Sequence, residues 1–392
     1  MQCQPELSQR AVALKPSLTL EISAKAKALQ NDGRDICSLS AGEPDFNTPD
    51  FITEAAREAL SSGLTRYGPA AGDPELREAI AEKLTRENGC PTTAGQVLVT
   101  NGGKQAIYNL FQVLLNPGDE VLIPAPYWLS YPEIAALAGA VGVTVPTSAE
   151  SGFQLDLTQL ESRITPRTRL LVLNSPGNPT GRVSSLDELK ALADVLRRHP
   201  RVMVMSDEIY EHLLAEGQVH HSFAAVAEDL RDRCFTVNGF AKGWAMTGWR
   251  LGYLSGPESV IKAAAALQSQ STSNVCSFAQ RGALAALQGS LDCVHAMAGS
   301  YNSRRELLCN GLRSIEGITL VAPQGAFYAF PQLPQNAPPS LEFCKRALEG
   351  EGLALVPGIA FGDDRCVRFS CAVSSEIIDD GLNRFRRVLK TF

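Results

Sequence analysis

A single lysine stands among small and aromatic residues, and an arginine follows it eight positions later. The stretch runs Asn238-Gly-Phe-Ala-Lys242-Gly-Trp-Ala-Met-Thr-Gly-Trp-Arg250. The residues before it, Cys234 to Val237, have strand propensity, so Lys242 is expected just past the end of a buried strand. A lysine amine in a dry site can form a Schiff base with an aldehyde, and an arginine can bind a phosphate through paired hydrogen bonds. Pyridoxal phosphate (PLP) needs both groups, but a loop lysine and a surface arginine would show the same pattern.

Two further segments end in polar residues after apolar runs of strand length. The run Leu-Leu-Val-Leu-Asn-Ser-Pro-Gly-Asn178 enters a turn, and Val-Met-Val-Met-Ser-Asp207 ends in an acid. Ligands of open α/β sheets bind at the carboxyl ends of strands. There, Asn178 and Tyr210 could reach the 3'-oxygen of PLP, and Asp207 could hold the pyridine nitrogen charged. Each segment alone has an ordinary structural explanation as a turn or a helix cap, but the three in this order indicate a PLP site.

With these segments the chain resembles the class I aminotransferases of PLP fold type I, in particular the bacterial aspartate aminotransferase branch, some members of which also use prephenate. The resemblance runs from Lys15-Pro-Ser17 to Val367-Arg-Phe-Ser370. Further motifs follow in the family's order: Ser40-Ala-Gly-Glu-Pro-Asp-Phe46, Thr65-Arg-Tyr-Gly-Pro-Ala-Ala-Gly72, Asn101-Gly-Gly-Lys-Gln105 and Pro126-Tyr-Trp-Leu-Ser-Tyr-Pro132.

The resemblance implies catalytic roles for Lys242, Asp207 and Tyr210. Lys242 is expected as the Schiff-base lysine, which also moves the proton between the substrate Cα and the C4' carbon of PLP. Asp207 is expected to pair with the pyridine nitrogen, and Asn178 and Tyr210 with the 3'-oxygen. Trp128 is expected to stack on the ring and fix its plane.

The resemblance also implies how the phosphate of PLP is bound. Gly102, Gly103 and Lys104 begin a predicted helix, and amides at a helix N-terminus suit a phosphate. Arg250 is expected on the other side, and Tyr67 is expected to come from the partner subunit of a homodimer with shared sites. Many relatives have serines near the lysine where this chain has Gly239 and Ala241, so the phosphate should depend more on Arg250 and the glycine amides.

For the substrate, the resemblance implies that Arg368 binds the α-carboxylate as a fork, with the backbone near Gly42, Trp128 and Asn178 beside it. The sequence has no evident counterpart of the second arginine of animal-type enzymes. Recognition of a side-chain carboxylate is therefore assigned to Lys104, helped by Ser17 or Thr19. A lysine is a single mobile charge, so selectivity should be looser than with an arginine.

Strand-like and helix-like segments alternate from about residue 50 to about residue 290, which predicts an α/β fold with a mostly parallel sheet covered on both faces. After about residue 299 the pattern changes to that of a smaller α+β unit. The resemblance implies PLP fold type I: a large domain of residues 46–295 with a seven-stranded sheet, and a small domain formed by residues 1–45 and 296–392.

Composition limits the other functions. The 392 residues have a net charge of −6 and no long basic run, which argues against nucleic acid as a partner. The most apolar stretch, Ile134 to Val145, is too short to span a membrane, and the first residues lack the apolar core of a signal peptide. Ten scattered cysteines without a Cys-x-x-Cys pair favour free thiols in the cytoplasm and no metal site. His220-His221 is interpreted as a solvated loop pair.

The predicted activity is PLP-dependent transamination of L-aspartate with 2-oxoglutarate to oxaloacetate and L-glutamate, with prephenate to arogenate as an added activity. An aminotransferase with another donor, or a PLP-dependent lyase, is the alternative, because a fold does not fix the reaction. A PLP-holding regulatory protein is disfavoured, since Lys242, Asp207 and Arg368 are all present and no DNA-binding domain fits before Ser40. A nicotinamide-dependent dehydrogenase is excluded for want of a Gly-x-Gly-x-x-Gly after the first strand.

Overall fold

The computed structural model of the protein describes residues 6–14, 16 and 18–392. The strands are, in chain order, β1 (Cys37–Ser38), β2 (Val97–Thr100), β3 (Glu120–Ala125), β4 (Val141–Pro146), β5 (Thr168–Asn174), β6 (Met203–Asp207), β7 (Cys234–Gly239), β8 (Gly252–Ser255), β9 (Tyr328–Ala329), β10 (Leu353–Ala354), β11 (Val356–Pro357) and β12 (Val367–Ser370).

The helices are α1 (Gln9–Ala13), α2 (Leu18–Asn31), α3 (Asp50–Ser61), α4 (Pro74–Arg86), α5 (Gly103–Leu114), α6 (Ser130–Leu137), α7 (Leu157–Ser162), α8 (Leu186–Arg198), α9 (Phe223–Val226), α10 (Glu258–Ser271), α11 (Ser277–Gln288), α12 (Asp292–Arg313), α13 (Ser340–Glu351) and α14 (Ser375–Leu389). In the part of the chain that the structure describes, no helix is both long and apolar enough to cross a membrane.

Seven strands form one sheet in the order β2-β8-β7-β6-β5-β3-β4. Strand β8 runs antiparallel to both of its neighbours, and the other four pairings are parallel. The predicted α/β class with a mostly parallel seven-stranded sheet is therefore confirmed. Parallel neighbours bring the carboxyl ends of β5, β6 and β7 together at one edge of the sheet.

Helices cover both faces of this sheet, and the strand sequences show why. Val97 and Val99 of β2 pack in one cluster with Ile80 of α4, whereas Leu98 packs in another with Ile107 of α5. Successive side chains of a strand point to opposite faces, so a strand that is apolar at every position needs cover on both. Strand β7 is likewise buried along its whole length.

Helix α8 illustrates how local sequence fixes one of these covering helices. The Ser185 hydroxyl accepts a hydrogen bond from the Glu188 amide, and the Glu188 carboxylate accepts one from the Ser185 amide. This reciprocal cap satisfies two donors at the first turn of α8. Leu189, Leu192 and Leu196 then follow at helical spacing and are buried against the sheet.

The two ends of the described chain pack together in a second unit. Strand β1 pairs in parallel with β10, and β11, β12 and β9 form a three-stranded antiparallel sheet. Leu39, Leu312 and Phe385 belong to its buried core, which joins the segment after β1 to α12 and α14. The domain boundaries given above stay a prediction, but this packing places β12 and the residues around Ser40 opposite the carboxyl ends of β5, β6 and β7.

Candidate active site

A cavity of about 530 Å³ lies between the carboxyl ends of the parallel strands and the second unit. It contains most of the residues that the sequence singled out. Its lining includes Thr19, Gly42, Gly102, Gly103, Lys104, Trp128, Asn178, Asp207, Tyr210, Lys242, Arg250 and Arg368. Residues from both ends of the chain and from its middle thus share one site.

Lys242 lies in the turn that follows β7. Its ammonium donates a hydrogen bond to the carbonyl of Gly42 and lies 5.7 Å from the ring centroids of Tyr210 and Phe327. Burial and the nearby Arg368 lower the pKa of Lys242 to about 8, against the opposing effect of Glu43. A larger share of the amine is therefore neutral near pH 7 than in an ordinary lysine, as a nucleophile or base requires.

Arg250 and the start of α5 form a cationic end of the cavity. Gly102 precedes α5 with a φ of +80°, and a Cβ there would lie 2.6 Å from Nη2 of Arg250. The first amides of a helix have no intrahelical acceptor, so those of Gly103 and Lys104 remain available to an anion. Arg250 itself has a φ of +56°, a strained conformation for a residue with a side chain.

Asp207 is buried at the carboxyl end of β6. Its Oδ2 accepts a hydrogen bond of 2.7 Å from the Tyr131 hydroxyl, and its Oδ1 accepts one of 3.3 Å from the Ile209 amide. Burial raises the pKa of Asp207 to about 6 despite these donors. A buried carboxylate of this kind gains from a cationic partner, which a protonated ring nitrogen would be.

Tyr210 and Asn178 line the same cavity as Asp207 and contact residues of the second unit. The hydroxyl groups of Tyr210 and Tyr328 lie 2.8 Å apart, and Asn178 Oδ1 accepts a hydrogen bond of 3.1 Å from Arg368. Burial and the adjacent Tyr328 raise the pKa of Tyr210 well above its usual value. The phenol is therefore protonated at neutral pH and can donate a hydrogen bond.

Arg368, on β12, is 3% exposed. Its Nη2 donates to the Ser40 carbonyl at 2.8 Å, its guanidinium lies 4.4 Å from the ring centroid of Tyr328, and its Nε has no partner within the described chain. Burial lowers the pKa of Arg368 from its usual value. A buried guanidinium without a carboxylate partner is costly, so this group is poised to bind an anion that enters the cavity.

Lys104 and Trp128 lie together at another wall. Nζ of Lys104 is 4.9 Å from the ring centroid of Trp128, and the Trp128 ring meets Tyr131 edge to face. Burial and Arg250 lower the pKa of Lys104. Thr19 also lines the cavity, whereas Ser17 lies outside the described residues.

Tyr67 does not line this cavity. Its side chain is 93% exposed, in the loop between α3 and α4. The expectation that a second copy of the chain would bring Tyr67 to the site stays a prediction.

Sequence reasoning missed two tyrosines and misjudged one histidine. Tyr131 lay within a recognised motif and Tyr328 within a predicted strand, but nothing local marked their contacts with Asp207 and Tyr210. The interpretation of His220 as solvated was wrong, because its side chain is 9% exposed and its Nε2 lies 3.2 Å from Glu208.

The comparisons with known proteins agree with this geometry. Residues 34–385 match the family described as aminotransferase class I and II. This chain belongs to the class I and II aminotransferase family. It is 49% identical over 386 residues to the aspartate/prephenate aminotransferase of Thermus thermophilus, covering 98% of each protein.

A plant relative and a solved structure extend the comparison. The chain is 45% identical over 398 residues to the bifunctional aspartate aminotransferase and glutamate/aspartate-prephenate aminotransferase of Petunia hybrida. The matched region covers 98% of this chain and 83% of that protein. The solved aspartate aminotransferase from Thermus thermophilus with maleate has a TM-score of 0.94 and 48% identity, with 98% of this chain and all of that one covered. The predicted aminotransferase fold and enzyme class are confirmed.

Proposed function

We propose that this aminotransferase uses PLP to transfer the amino group of L-aspartate to 2-oxoglutarate, and that it also aminates prephenate to arogenate. The observation that carries the proposal is the buried Arg368 guanidinium, which opens onto the same cavity as the Lys242 amine and has an unpartnered Nε. An amino acid bound there by its α-carboxylate would present its amino group and Cα towards Lys242.

The residues at the cavity fit PLP. The Lys242 amine, with its lowered pKa, suits the aldehyde, and the buried Asp207 carboxylate suits the pyridine nitrogen. The space between Gly102 and Arg250, which a Cβ at Gly102 would fill, suits the phosphate. Asn178 and Tyr210 would hold the 3'-oxygen, and Trp128 the ring face. When bound, PLP supplies the electron sink that makes the substrate Cα–H acidic.

The chain's own groups account for the remaining chemistry. Arg368 would orient the α-carboxylate, and Lys242 Nζ would take the proton from the substrate Cα and deliver it to the C4' carbon of bound PLP. With a pKa of about 8, roughly a tenth of the amine is neutral at pH 7, which is compatible with a base at neutral pH. Asp207, which accepts a hydrogen bond from Tyr131, would supply negative charge to the ring nitrogen.

Dicarboxylate preference is assigned to Lys104. The cations that line the described cavity are Lys104, Lys242, Arg250 and Arg368. With the phosphate on Arg250, the α-carboxylate on Arg368 and Lys242 in the chemistry, Lys104 is left for a side-chain carboxylate. The names of the relatives and the dicarboxylate maleate in the similar solved structure support this choice.

We also propose a homodimer in which Tyr67 of one copy completes the site of the other. Two observations support this arrangement. Tyr67 is exposed, and the Ser277 hydroxyl donates a hydrogen bond to the Arg66 carbonyl, which holds the loop that carries Tyr67. A cytoplasmic location stays a prediction.

An absorbance scan of the protein with PLP, before and after L-aspartate alone, tests the activity. We expect loss of the visible band of lysine-bound cofactor, growth of the pyridoxamine phosphate band and one equivalent of oxaloacetate. A band that aspartate leaves unchanged would contradict the aspartate assignment, and release of pyruvate without a second substrate would contradict transamination. Lys242→Ala should lack the visible band, and near-normal turnover in that variant would overturn the role of Lys242.

A further inference from the structure

The segment from Asp207 to Glu211 has two faces with different environments. Asp207 and Tyr210 line the cavity, whereas Glu208 and Glu211 lie behind it and are 0% and 7% exposed. The residues that contact the substrate and cofactor are thus attached directly to two buried acids on the opposite side. What holds those acids also determines where Asp207 and Tyr210 lie.

Glu211 is held by a lysine from a distant helix. Lys83 of α4 is 2% exposed, and its ammonium donates to Glu211 and, at 2.7 Å, to Asn88 Oδ1. Burial opposes ionisation of Glu211, but Lys83, His212 and His220 outweigh it, so the pKa of Glu211 lies well below its usual value. Glu211 is therefore a charged carboxylate in the interior, paired with a charged lysine.

The same carboxylate joins the two segments that bear the site residues. Asn238, at the end of β7, donates from Nδ2 to Glu211 at 2.7 Å, and its Oδ1 accepts from the Gly239 amide at 2.7 Å. Asn88 donates to the other oxygen of Glu211 at 2.7 Å. Residue 211 directly follows Tyr210, and residue 238 lies four positions before Lys242, so one carboxylate fixes both segments relative to each other.

Glu208 is satisfied separately. Its Oε1 accepts from the hydroxyls of Ser206 and Ser222 at 2.8 and 2.9 Å, and its Oε2 lies 3.2 Å from His220 Nε2. Glu208, Glu211 and His220 have ligand atoms within 4.8 Å of one another, as a metal site would, but Lys83 supplies the cation beside Glu211. The cation in this network of Glu208, Glu211 and His220 is therefore the Lys83 ammonium.

We propose that Lys83 is a positioning residue for transamination, which acts through Glu211 and Asn238. The inference rests on the proposed function of the cavity. Apolar side chains at positions 83 and 211 could fill the same space, because a buried ion pair often adds little stability over well-packed apolar groups. The ion pair instead fixes one arrangement of these segments. Its directional hydrogen bonds are satisfied only when helix α4, residue 211 and residue 238 are correctly placed relative to one another.

The test removes the charge pair as a unit, because Lys83→Met alone would leave the buried Glu211 without its cation and could unfold the chain. In the double variant Lys83→Met/Glu211→Gln, we expect a folded protein whose kcat with aspartate falls at least tenfold, while KM changes less than threefold. The dissociation constant for PLP should rise at least tenfold, and the pH at which the visible band of the lysine-bound cofactor titrates should move by at least half a pH unit. A purely structural pair would lower the melting temperature and leave these cofactor properties unchanged.

A control pair, with a buried glutamate and a largely exposed arginine, is available at the far end of the sheet. Glu120, also buried, accepts from Arg167 at the amino end of β3, away from the cavity. Glu120→Gln/Arg167→Met should lower stability without moving kcat, cofactor affinity or the titration. Wild-type values in a folded Lys83→Met/Glu211→Gln variant would overturn the proposal.

Asn238→Ala keeps the ion pair and cuts its link to the Lys242 segment, so it serves if the double variant does not fold. We expect the same direction of change, and a wild-type titration in Asn238→Ala would also overturn the proposal. Because cofactor affinity and titration do not require turnover, a wild-type protein that fails to transaminate aspartate would contradict the proposed function and leave this test intact.

Discussion

Four cations line the described cavity, and their neighbours assign them different tasks. Arg368 is buried with an unpartnered Nε, Arg250 faces the start of α5, and Lys242 contacts the Gly42 carbonyl. Lys104 lies beside Trp128, where a substrate side chain would extend. At the scale of single residues, the proposed assignment makes selectivity for a second carboxylate depend on a lysine.

Lys104→Ala should lower kcat/KM for L-aspartate by about 10- to 100-fold, or about 1.4–2.8 kcal/mol, and change that for L-alanine by less than about threefold. Alanine has no side-chain carboxylate and so cannot lose that interaction. Steady-state kinetics with both donors measure the difference. Lys262→Ala, on the surface and paired with Glu258, is the control. Equal losses for both donors would assign Lys104 to the phosphate or to the fold instead.

Asp207→Asn should stabilise the cofactor-free chain at neutral pH and impair its function. Because the folded pKa of Asp207, about 6, lies above its usual value of 3.8, protonation favours the fold below about pH 4, and this contribution is lost as the pH rises through 6. The amide in Asp207→Asn does not ionise, so this variant does not lose stability as the pH rises. Its free energy of unfolding should exceed that of the wild type by near zero at about pH 4 and by at most about 3 kcal/mol at pH 7.

Urea unfolding of the cofactor-free wild type and Asp207→Asn at several pH values measures this difference. PLP affinity should fall in the same variant, because the ring nitrogen loses its carboxylate. A stability difference between the wild type and Asp207→Asn that does not change with pH would show that burial does not raise the pKa of Asp207.

At the scale of secondary structure elements, the start of α5 is where we propose that the phosphate binds. Gly102 has a φ of +80°, and the space a Cβ would take belongs to the Arg250 guanidinium. The helix begins there because the glycine allows the turn and leaves the first amides uncovered.

Gly102→Ala should raise the dissociation constant for PLP by at least about tenfold, since both the start of α5 and Arg250 must shift. Gly63→Ala is the matched control, because Gly63 has a similar φ of +83° and nothing within 4 Å of the Cβ position. It should lose about 1–2 kcal/mol of stability from backbone strain and keep its PLP affinity. Equal PLP affinities in the two variants would mean that α5 does not hold the phosphate.

At the scale of the whole molecule, the predicted dimer makes each site depend on two copies. If Tyr67 acts across the interface, Lys242→Ala and Tyr67→Ala chains should each be poorly active alone and regain activity when unfolded, mixed and refolded together. A mixed dimer has one site with both changes and one with neither, so about a quarter of all sites in an equal mixture should be wild type.

Activity of the refolded mixture, compared with each variant refolded alone, measures this recovery. Size-exclusion chromatography with light scattering gives the oligomeric state independently. No recovery from a mixture that contains mixed dimers would place Tyr67 outside the partner's site.

The sequence by itself determined the sheet and the polar residues at its edge. The sequence predicted where β6 and β7 end and where the turn after β5 begins. An apolar run must be buried, and the polar residue that follows it marks where the strand leaves the core. Lys242, Asp207 and Asn178 could therefore be placed at strand ends from local pattern, and the family resemblance supplied their roles.

Only the tertiary structure decided the partners of these residues. Tyr131 reaches Asp207 across 76 positions, Tyr328 reaches Tyr210 across 118, and Lys83 reaches Glu211 across 128. Such pairs leave no periodic signal, since a tyrosine or lysine that is buried by a distant segment looks locally like one that faces water. Local sequence fixes the direction in which a chain segment buries its side chains, whereas the contact itself depends on how distant segments pack.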